Sequence, residues 1–276
     1  MDQIIKNEKA IIQHGKYNDR IYIMKIKEQG ASDVLNTAEE LLADHQYGKV
    51  FAKVSAADKE AFEKNGYIEE AMIPDFFGDN KDVLFMSKFV DPERSIDSNL
   101  TENEDVLNTT FNKTLSTAVK APSDFEVTKA SKADSEEIAS LYRETFPSYP
   151  FPIYDPEYVS EMMQEDVDYY LIKKDGQLAA VSSAEKDPDT KTAEMTDFAT
   201  KEEFQGNQLA AVLLSEMENR LKEENYRLAF TIARACSVPM NVTFARAGYA
   251  FSGKLVNNTN ISDDIESMNI WYKKLK

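Results

Sequence analysis

The spacing of apolar and polar residues divides the chain into predicted strands and helices. Residues 193–199 alternate with the two-residue period of a strand, and residues 209–225 carry their apolar side chains on one helical face. Between them lies the turn QGNQ at 205–208. A glycine-bearing turn that leads into a helix presents free backbone N–H groups and the positive end of the helix dipole. This stretch is therefore suited to an anion such as a pyrophosphate.

The same periodicities predict two groups of elements. The first comprises strands over 20–29, 47–54 and 82–89 and helices over 32–45 and 56–65. The second group begins with a strand over 125–130 and a helix over 131–146 that a capping box opens, followed by a proline-rich loop and a helix that starts at 156. A hairpin of strands over 169–173 and 178–184 comes next, and then the strand and helix already described. The group ends with a strand over 227–235, a helix over 238–247, and closing strands over 249–256 and 267–273 around a loop, NNTNISDD.

A polar stretch separates the two groups. Residues 91–124 contain no glycine and are broken by Pro92 and Pro122, which is typical of a connection. We therefore expect an N-terminal unit over 1–95, an interdomain connection over 96–124 and a second unit over 125–276. The pattern F-x-x-x-G-Y occurs at 62–67 and again at 244–249, each time after a strand and a short helix. We interpret it as a repeated supersecondary unit, with chance as the alternative.

Composition narrows the classes of function. The net charge of −17 argues against a nucleic acid or an anionic membrane as a partner. No apolar run reaches membrane-spanning length, so we expect a soluble, cytoplasmic protein. The single cysteine excludes an internal disulfide, and both histidines lie within the first 50 residues. A metal site and a Ser-His-Asp triad in the second unit are therefore not expected.

The element order of the second unit, with a turn at 205–210 and N-x-x-F-x-x-x-G-Y after the next strand, resembles the GNAT superfamily of N-acetyltransferases. The resemblance covers residues 125–276 and implies an α/β (α+β) fold with a mixed, V-splayed sheet. Residues 20–90 look like a shortened, degenerate copy of the second half of that fold. Members transfer an acetyl group from acetyl-CoA to a primary amine, so the resemblance implies an acyltransferase that uses acetyl-CoA as co-substrate.

A closer resemblance extends over both units. The segments FEKNGYIEEAMIPDFFGD, FPIYDPEY, AEMTDFAT, NNTNI and ESMNIWY are similar to the archaeal and bacterial β-lysine ε-N-acetyltransferases. That family makes Nε-acetyl-β-lysine, a compatible solute used in osmoadaptation, so the resemblance implies β-lysine as the acceptor. Another small primary amine, such as lysine or a polyamine, stays open as the acceptor. A non-catalytic acyl-CoA-binding sensor is the alternative from another class, and a homodimer is also left open.

The resemblance places the cofactor along the central strand and the turn. Phe198, Ala199 and Thr200 are expected to bond the pantetheine arm through their backbones. An N–H group near Phe198 is expected to stabilise the negative charge that develops on the acetyl oxygen. Asn241 is expected to touch the cofactor arm, with a plain polar position on a helix as its alternative. The expected pyrophosphate contacts are Gln205, Gly206, Asn207, Gln208, Leu209 and Ala210.

Three residues depart from the superfamily pattern. Gln208 stands where a glycine or alanine is expected, and Gln205 replaces a frequent arginine. Phe244 occupies the place of a tyrosine that protonates the leaving thiolate, and a phenylalanine has no proton to donate. The backbone N–H groups of the turn are unaffected by these changes.

Amine acetylation needs a neutral amine, whereas an ε-ammonium with a pKa near ~10.4 is almost fully protonated at neutral pH. A carboxylate must therefore accept a proton, directly or through water. Glu194 is the predicted general base, since the superfamily often places a glutamate there; a structural carboxylate is its alternative. A regular strand directs Asp197 to the opposite face, so Asp197 is the weaker candidate.

The acceptor needs its charged ends held as well. Glu185, at the end of the neighbouring strand, is expected to bind the ammonium, and Arg234 is expected to bind the carboxylate in a bidentate contact. Further predicted acceptor contacts, with core packing or turn formation as their alternatives, are Tyr149, Tyr154, Asn258 and Asn260.

Overall fold

The structure, a computed structural model, describes residues 2–27, 30–115 and 119–275. It separates into two compact units, one of Met1–Leu100 with Ser252–Met268 and the other of Thr101–Phe251 with Asn269–Lys276. The expected boundaries assigned all of 125–276 to one unit, whereas here residues 252–268 are counted with the first. Residues 28–29 of the expected strand over 20–29 and residues 116–118 of the expected connection lie outside the described residues.

The first unit is a six-stranded sheet covered by helices. Its strands follow the order β1-β2-β3-β4-β6-β5; β3 and β4 are parallel and the other neighbours antiparallel. Apolar side chains from β2, β3, β4 and the first helix form its core. The elements are β1 (Gln3–Lys6), β2 (Ala10–Gly15), β3 (Arg20–Ile26), α1 (Ala31–His45), β4 (Lys49–Ser55), α2 (Lys59–Lys64), β5 (Ile68–Gly78) and β6 (Lys81–Phe89).

The second sheet has the order β12-β13-β11-β10-β9-β8-β7. The expected mixed α/β fold is thereby confirmed. The elements that follow β6 are α3 (Leu100–Phe111), β7 (Glu126–Lys129), α4 (Ser135–Thr145), α5 (Pro156–Met162), β8 (Val167–Lys174), β9 (Gln177–Asp187), β10 (Thr192–Thr200), α6 (Leu209–Glu223), β11 (Leu228–Arg234), α7 (Val238–Arg246), β12 (Ala250–Ile261) and β13 (Asp264–Lys274). The NNTNI segment, expected as a loop, forms the outer end of β12.

The sheet of the second unit opens between its two central strands. β10 and β11 pair in parallel only where Thr192–Glu194 face Leu228–Phe230, although both strands continue. β10 also contains a bulge, because its register with β9 shifts between Thr196 and Ala199. A bulge bends the strand and increases its twist. The two strands therefore separate into the V-shaped opening that the superfamily resemblance implies.

The helices before and after the proline-rich loop, α4 and α5, each begin at capping residues. The capping box predicted at Ser131 and Asp134 is present and starts a short 3₁₀ turn before α4. At the other end, the Asp155 side chain accepts a hydrogen bond from the Glu157 N–H at 2.9 Å, with Pro156 in the first helical turn. The loop therefore ends at a capped helix start, at Asp155.

The internal repeat is visible in both units. The order β3-β4-β6-β5 in the first sheet matches the order β10-β11-β13-β12 in the second sheet, including the parallel central pair. In the segments 62–67 and 244–249, the phenylalanine and tyrosine rings meet near edge to face, with centroids 5.0 and 5.1 Å apart. Their glycines have φ of 84° and 87°, which a residue with a side chain rarely adopts. The first unit is thus a partial copy of the second.

Candidate active site

A groove with a volume of about 740 Å³ follows β10, the turn after it, and helices α6 and α7. This volume lies within the range of small-molecule and cofactor sites, roughly 300–1,000 Å³. The sequence-predicted cofactor residues that line the groove are Phe198, Thr200, Gln205, Gly206, Gln208, Leu209 and Ala210. Ala199, which also belongs to β10, is buried, and Asn207 is exposed in the turn.

The turn before α6 is built as an anion cradle. Gly206 and Gln208 both have left-handed backbones, with φ of 82° and 58°. Gln208 is the N-cap of α6, and its carbonyl accepts the N–H groups of Ala211 and Val212 at 3.0 and 3.1 Å. The N–H groups of Leu209 and Ala210, which come before these two, have no partner within the helix and lie at the positive end of its dipole.

Basic side chains line the same groove. Lys273 contacts Glu218 at 2.6 Å, and Lys222 lies 3.7 Å from the same carboxylate. Among the described residues, Arg246 has no acidic partner within ion-pair distance, so its guanidinium is available to a phosphate. The cradle, the cations and the volume of the groove fit a phosphate-bearing cofactor such as a coenzyme A ester.

Phe244 takes part in aromatic packing. Its ring is buried and meets the rings of Phe198 and Tyr249 nearly edge to face, at 5.6 and 5.1 Å between centroids. Burial raises the pKa of the Tyr249 hydroxyl well above its ordinary value, with a further contribution from Glu218. Phe244, which stands where the superfamily usually has a proton-donating tyrosine, therefore packs against Phe198 of β10.

Asn241 is fully buried and saturated with hydrogen bonds. Its Nδ2 donates to the carbonyls of Arg234 and Ser237 at 3.0 and 2.8 Å. Its Oδ1 accepts from Asn269 Nδ2 and Trp271 Nε1 at 2.8 and 2.9 Å. A side-chain amide has two hydrogens and two lone pairs to offer. The hydrogen-bonding groups of this side chain are therefore all used within the protein. The contact of Asn241 with the cofactor arm stays a prediction.

On β10, Glu194 is half-buried, upstream of the bulge. It faces Glu185 of β9 directly across the strand pair, and it faces Phe230 of β11 on its other side. Directly opposed residues of adjacent strands project to the same face of a sheet. The sheet therefore brings the predicted base and the predicted ammonium-binding carboxylate together.

The expectation of a regular strand at Asp197 is wrong, because the bulge of β10 places this residue in a left-handed backbone with φ of 55°. Its buried carboxylate accepts hydrogen bonds from the hydroxyls of Tyr149 and Ser183, both at 2.6 Å, and from Thr196 at 3.3 Å. Burial raises the pKa of the Asp197 carboxyl. Aspartate tolerates the left-handed region better than most residues, but a single aspartate in an alternating strand is a weak signal for a bulge.

Tyrosines that sequence reasoning did not select surround this carboxylate. These tyrosines are Tyr142, Tyr158 and Tyr169. Burial raises the pKa of each of their hydroxyls, and the negative charges of Asp197 and Glu185 raise it further. Tyr154, which was selected, donates its hydroxyl to the Phe146 carbonyl at 2.8 Å within the proline-rich loop. These tyrosines come from separate segments of the chain. No regular spacing in the sequence could therefore have shown that they lie close together.

Arg234 ends β11 and is half-buried. Asn258 and Asn260 are counted in the first unit, where Asn258 is almost fully buried and Asn260 Nδ2 donates to the Tyr17 carbonyl at 2.8 Å. The Asn258 carbonyl accepts from Arg20. The substrate contacts of these three residues stay predictions.

Buried cations of the first unit bind consecutive carbonyls of the same segment. Lys49 Nζ donates to the Val256 carbonyl at 2.7 Å, and the Arg94 guanidinium donates to the Asn257 carbonyl at 2.9 Å. Lys49 is also paired with Glu70 at 2.9 Å. The polar asparagines of this segment therefore lie in a charged, hydrogen-bonded interior of the first unit.

Within the described residues, no group of three or more histidine, cysteine, aspartate or glutamate side chains is arranged to hold a metal ion. The helices of that same part of the chain are each too short or too polar to cross a membrane.

Comparison with known proteins agrees with this geometry. A family model described as the acetyltransferase (GNAT) family matches residues 135–249. The chain is 42% identical over 273 residues, 99% of both chains, to a Methanococcus maripaludis protein named Beta-lysine N(6)-acetyltransferase. A Methanosarcina mazei protein of the same name is 28% identical over 264 residues, which cover 88% of this chain and 97% of that one. The solved N-acetyltransferase of Staphylococcus aureus Mu50 is similar in fold, with a TM-score of 0.50 and 18% identity over 56% of this chain and 100% of that one.

Proposed function

The chain belongs to the acetyltransferase (GNAT) family, and from this premise we propose that it transfers the acetyl group of acetyl-CoA to the ε-amino group of β-lysine. The family expected from the sequence is thereby confirmed. The acceptor is supported by two relatives with that activity in their names, one of them 42% identical along nearly the whole chain. Acetylation removes one positive charge, so the product is a neutral zwitterion. We propose that it serves as a compatible solute.

One structural observation carries the proposal. The strand that lines the cofactor groove through Phe198 and Thr200 also bears Glu194, which faces Glu185 across the sheet. An acyl-donor groove and a carboxylate pair suited to an ammonium group are thus joined by one strand. A sensor that only bound an acyl-CoA would have no need of the carboxylate pair.

The residues of the groove fit acetyl-CoA, which supplies an activated thioester when bound. The N–H groups at the start of α6, from Leu209 and Ala210, would hold the pyrophosphate, and Arg246, which lines the same groove, would add a positive charge. The β10 backbone near Phe198 would position the acyl arm and stabilise negative charge on its carbonyl oxygen. These roles depend on backbone groups, so Gln205 and Gln208 do not abolish them.

At the acceptor, Glu194 would take the proton that the ε-ammonium must lose, and Glu185 would hold the ammonium group beside it. Arg234, at the end of β11, would bind the acceptor carboxylate. A polyamine has no carboxylate for this arginine, which makes polyamines the less favoured acceptors.

The proposal is tested by thiol release from acetyl-CoA with β-lysine, lysine, spermidine and no amine. We expect the highest kcat/KM with β-lysine. Release with spermidine but not with β-lysine would contradict the acceptor. Binding of acetyl-CoA without release to any amine would favour the sensor and overturn the enzyme.

The role of Glu194 is tested by Glu194→Gln, which keeps the shape of the side chain but removes the base. We expect kcat at neutral pH to fall by roughly 10²- to 10⁴-fold, the usual contribution of a general base. The loss should shrink toward pH 10, where the acceptor deprotonates in solution. Glu223→Gln, an exposed change at the end of α6, is the matched control and should keep the wild-type rate. A full rate at pH 7 in Glu194→Gln would remove Glu194 as the base.

A further inference from the structure

Asp197 is a buried acid that accepts hydrogen bonds from neutral hydroxyl groups. The residue is only 9% exposed, and its carboxylate accepts hydrogen bonds from the hydroxyls of Tyr149, Ser183 and Thr196. Within the described part of the chain, no lysine, arginine or histidine lies within ion-pair distance of it. Burying an unpaired carboxylate is costly, and such groups ordinarily have a cationic partner. Hydroxyl donors alone compensate only part of that cost.

The surroundings of Asp197 are suited to a cation. Tyr142 is completely buried within electrostatic reach of Asp197, and its hydroxyl has no hydrogen-bond partner among the described residues. A buried hydroxyl without a partner calls for an explanation, and a ligand that binds from outside is one such explanation. The Tyr158 side chain also lies within electrostatic reach of Glu185 and Asp197. Tyrosine rings and carboxylates together form the environment that binds ammonium groups.

The position of Asp197 on the strand gives this cluster a place in the reaction. Asp197 immediately precedes Phe198, whose backbone is proposed to face the acyl group, and lies three residues after Glu194. Three strand residues span on the order of 10 Å. An extended acceptor with ammonium groups at two points along its chain can therefore reach both carboxylates.

We infer that Asp197, with the tyrosines around it, forms the subsite for the second, non-reacting ammonium group of the acceptor. The acceptor class is then an amino acid that carries two amines separated by a short aliphatic chain, as in β-lysine. This inference rests on the proposed function and adds a specificity-determining residue to it. Tyr149 closes the subsite from the proline-rich loop, because its hydroxyl is bound to Asp197.

The rival role for Asp197 is purely structural, as a clamp that fixes the bulge and the loop. Asp197→Asn separates the two roles. Asparagine has the same shape, tolerates a left-handed backbone, and still accepts the Tyr149 hydroxyl, while the Ser183 hydroxyl can turn to accept from the new amide. The variant therefore removes the charge and retains the clamp. Ser183→Ala does the opposite, since it removes one hydrogen bond and leaves the charge.

The experiment compares two acceptors that differ only in the second ammonium group. β-Lysine carries it, whereas 6-aminohexanoate retains the reacting amine and the carboxylate but lacks it. We expect wild-type protein to prefer β-lysine in kcat/KM. In Asp197→Asn this preference should fall by roughly 10- to 100-fold, the worth of a lost charge-assisted contact, mainly through KM for β-lysine. Ser183→Ala should keep the preference.

Asp175→Asn is the matched control. Asp175 also has a left-handed backbone, with φ of 51°, but it lies in the exposed hairpin turn between β8 and β9. It should leave both acceptors unchanged. An equal loss on both acceptors in Asp197→Asn would overturn the inference in favour of the structural clamp, and so would a wild-type enzyme that does not distinguish the two acceptors. Failure of the wild type to acetylate β-lysine would instead contradict the proposed function.

Discussion

The turn before α6 contains a strained residue whose replacement should stabilise the protein. Gln208 is held at φ 58° and ψ 27°, in the left-handed region. A residue with a side chain pays roughly 1–2 kcal/mol to adopt this conformation, whereas glycine adopts it freely. The superfamily places a glycine or alanine here, so Gln208→Gly restores the backbone freedom that the turn requires.

The magnitude follows from two opposed terms. Glycine relieves the left-handed strain of roughly 1–2 kcal/mol, but it loses about 0.5–1 kcal/mol more than other residues through its greater freedom in the unfolded chain. The net expectation for Gln208→Gly is a gain of about 0.5–1 kcal/mol in the free energy of unfolding. Gln205 provides the matched control, because it is the same residue in the same turn but has φ −61° and ψ 157°, an ordinary extended conformation. Gln205→Gly relieves no strain and should lose about 0.5–1 kcal/mol.

The assay is urea unfolding of both variants and the wild type, monitored by far-ultraviolet circular dichroism in the absence of acetyl-CoA. The two variants should differ by about 1–2 kcal/mol, because their difference isolates the left-handed term. If Gln208→Gly destabilised the protein as much as Gln205→Gly, the left-handed strain would be absent and the reasoning refuted.

Two further outcomes are expected. Lys49→Met should lower the free energy of unfolding of the first unit by about 3–5 kcal/mol, because it removes the positive charge that pairs with the buried Glu70 carboxylate. Lys49→Met/Glu70→Gln should recover part of the loss, and no recovery would show that the pair is not coupled. Arg246→Gln should raise KM for acetyl-CoA roughly 10-fold in low salt with little change in kcat, and the effect should shrink as the ionic strength rises. Lys222→Gln should have a smaller effect, since Lys222 already lies near Glu218; equal effects would argue against a free guanidinium in the phosphate site.

The elements that sequence periodicity predicted are those that bury one face. β10 and α6 show such clean patterns, and both were located to within a few residues. β1 and β2 were missed because their apolar residues stand in adjacent pairs, which fits neither period. β5 was missed because it carries Pro74 and several charged residues, which argue against a strand unless tertiary packing overrides them.

The bulge of β10 and the asparagine segment of β12 are two features that the spacing of apolar residues could not predict. Asn257 has φ of 44° inside β12, and its Nδ2 donates to the carbonyls of Arg94 and Ile96 at 3.1 and 2.7 Å. Turn-forming residues favoured a loop at this point because asparagine readily satisfies backbone groups locally. In the structure the same capacity serves distant backbone groups, and distant partners cannot be read from a local pattern. The bulge at Asp197 was hidden for a related reason, since its hydroxyl partners come from other elements.

The partial copy in the first unit explains why a shared scaffold does not imply a shared site. α1 occupies the place of α6 in the repeated order, but its N-cap, Gly30, has φ −90° instead of a left-handed backbone. A side chain at Gly30 would meet the carbonyl oxygens of Lys9 and Lys27 at 2.9 and 3.1 Å. Carbonyl oxygens at this entrance repel the phosphate that the open N–H groups of α6 attract. The strand order and the glycine–aromatic pair therefore specify the scaffold, while the turn before the helix decides whether the scaffold binds a phosphate.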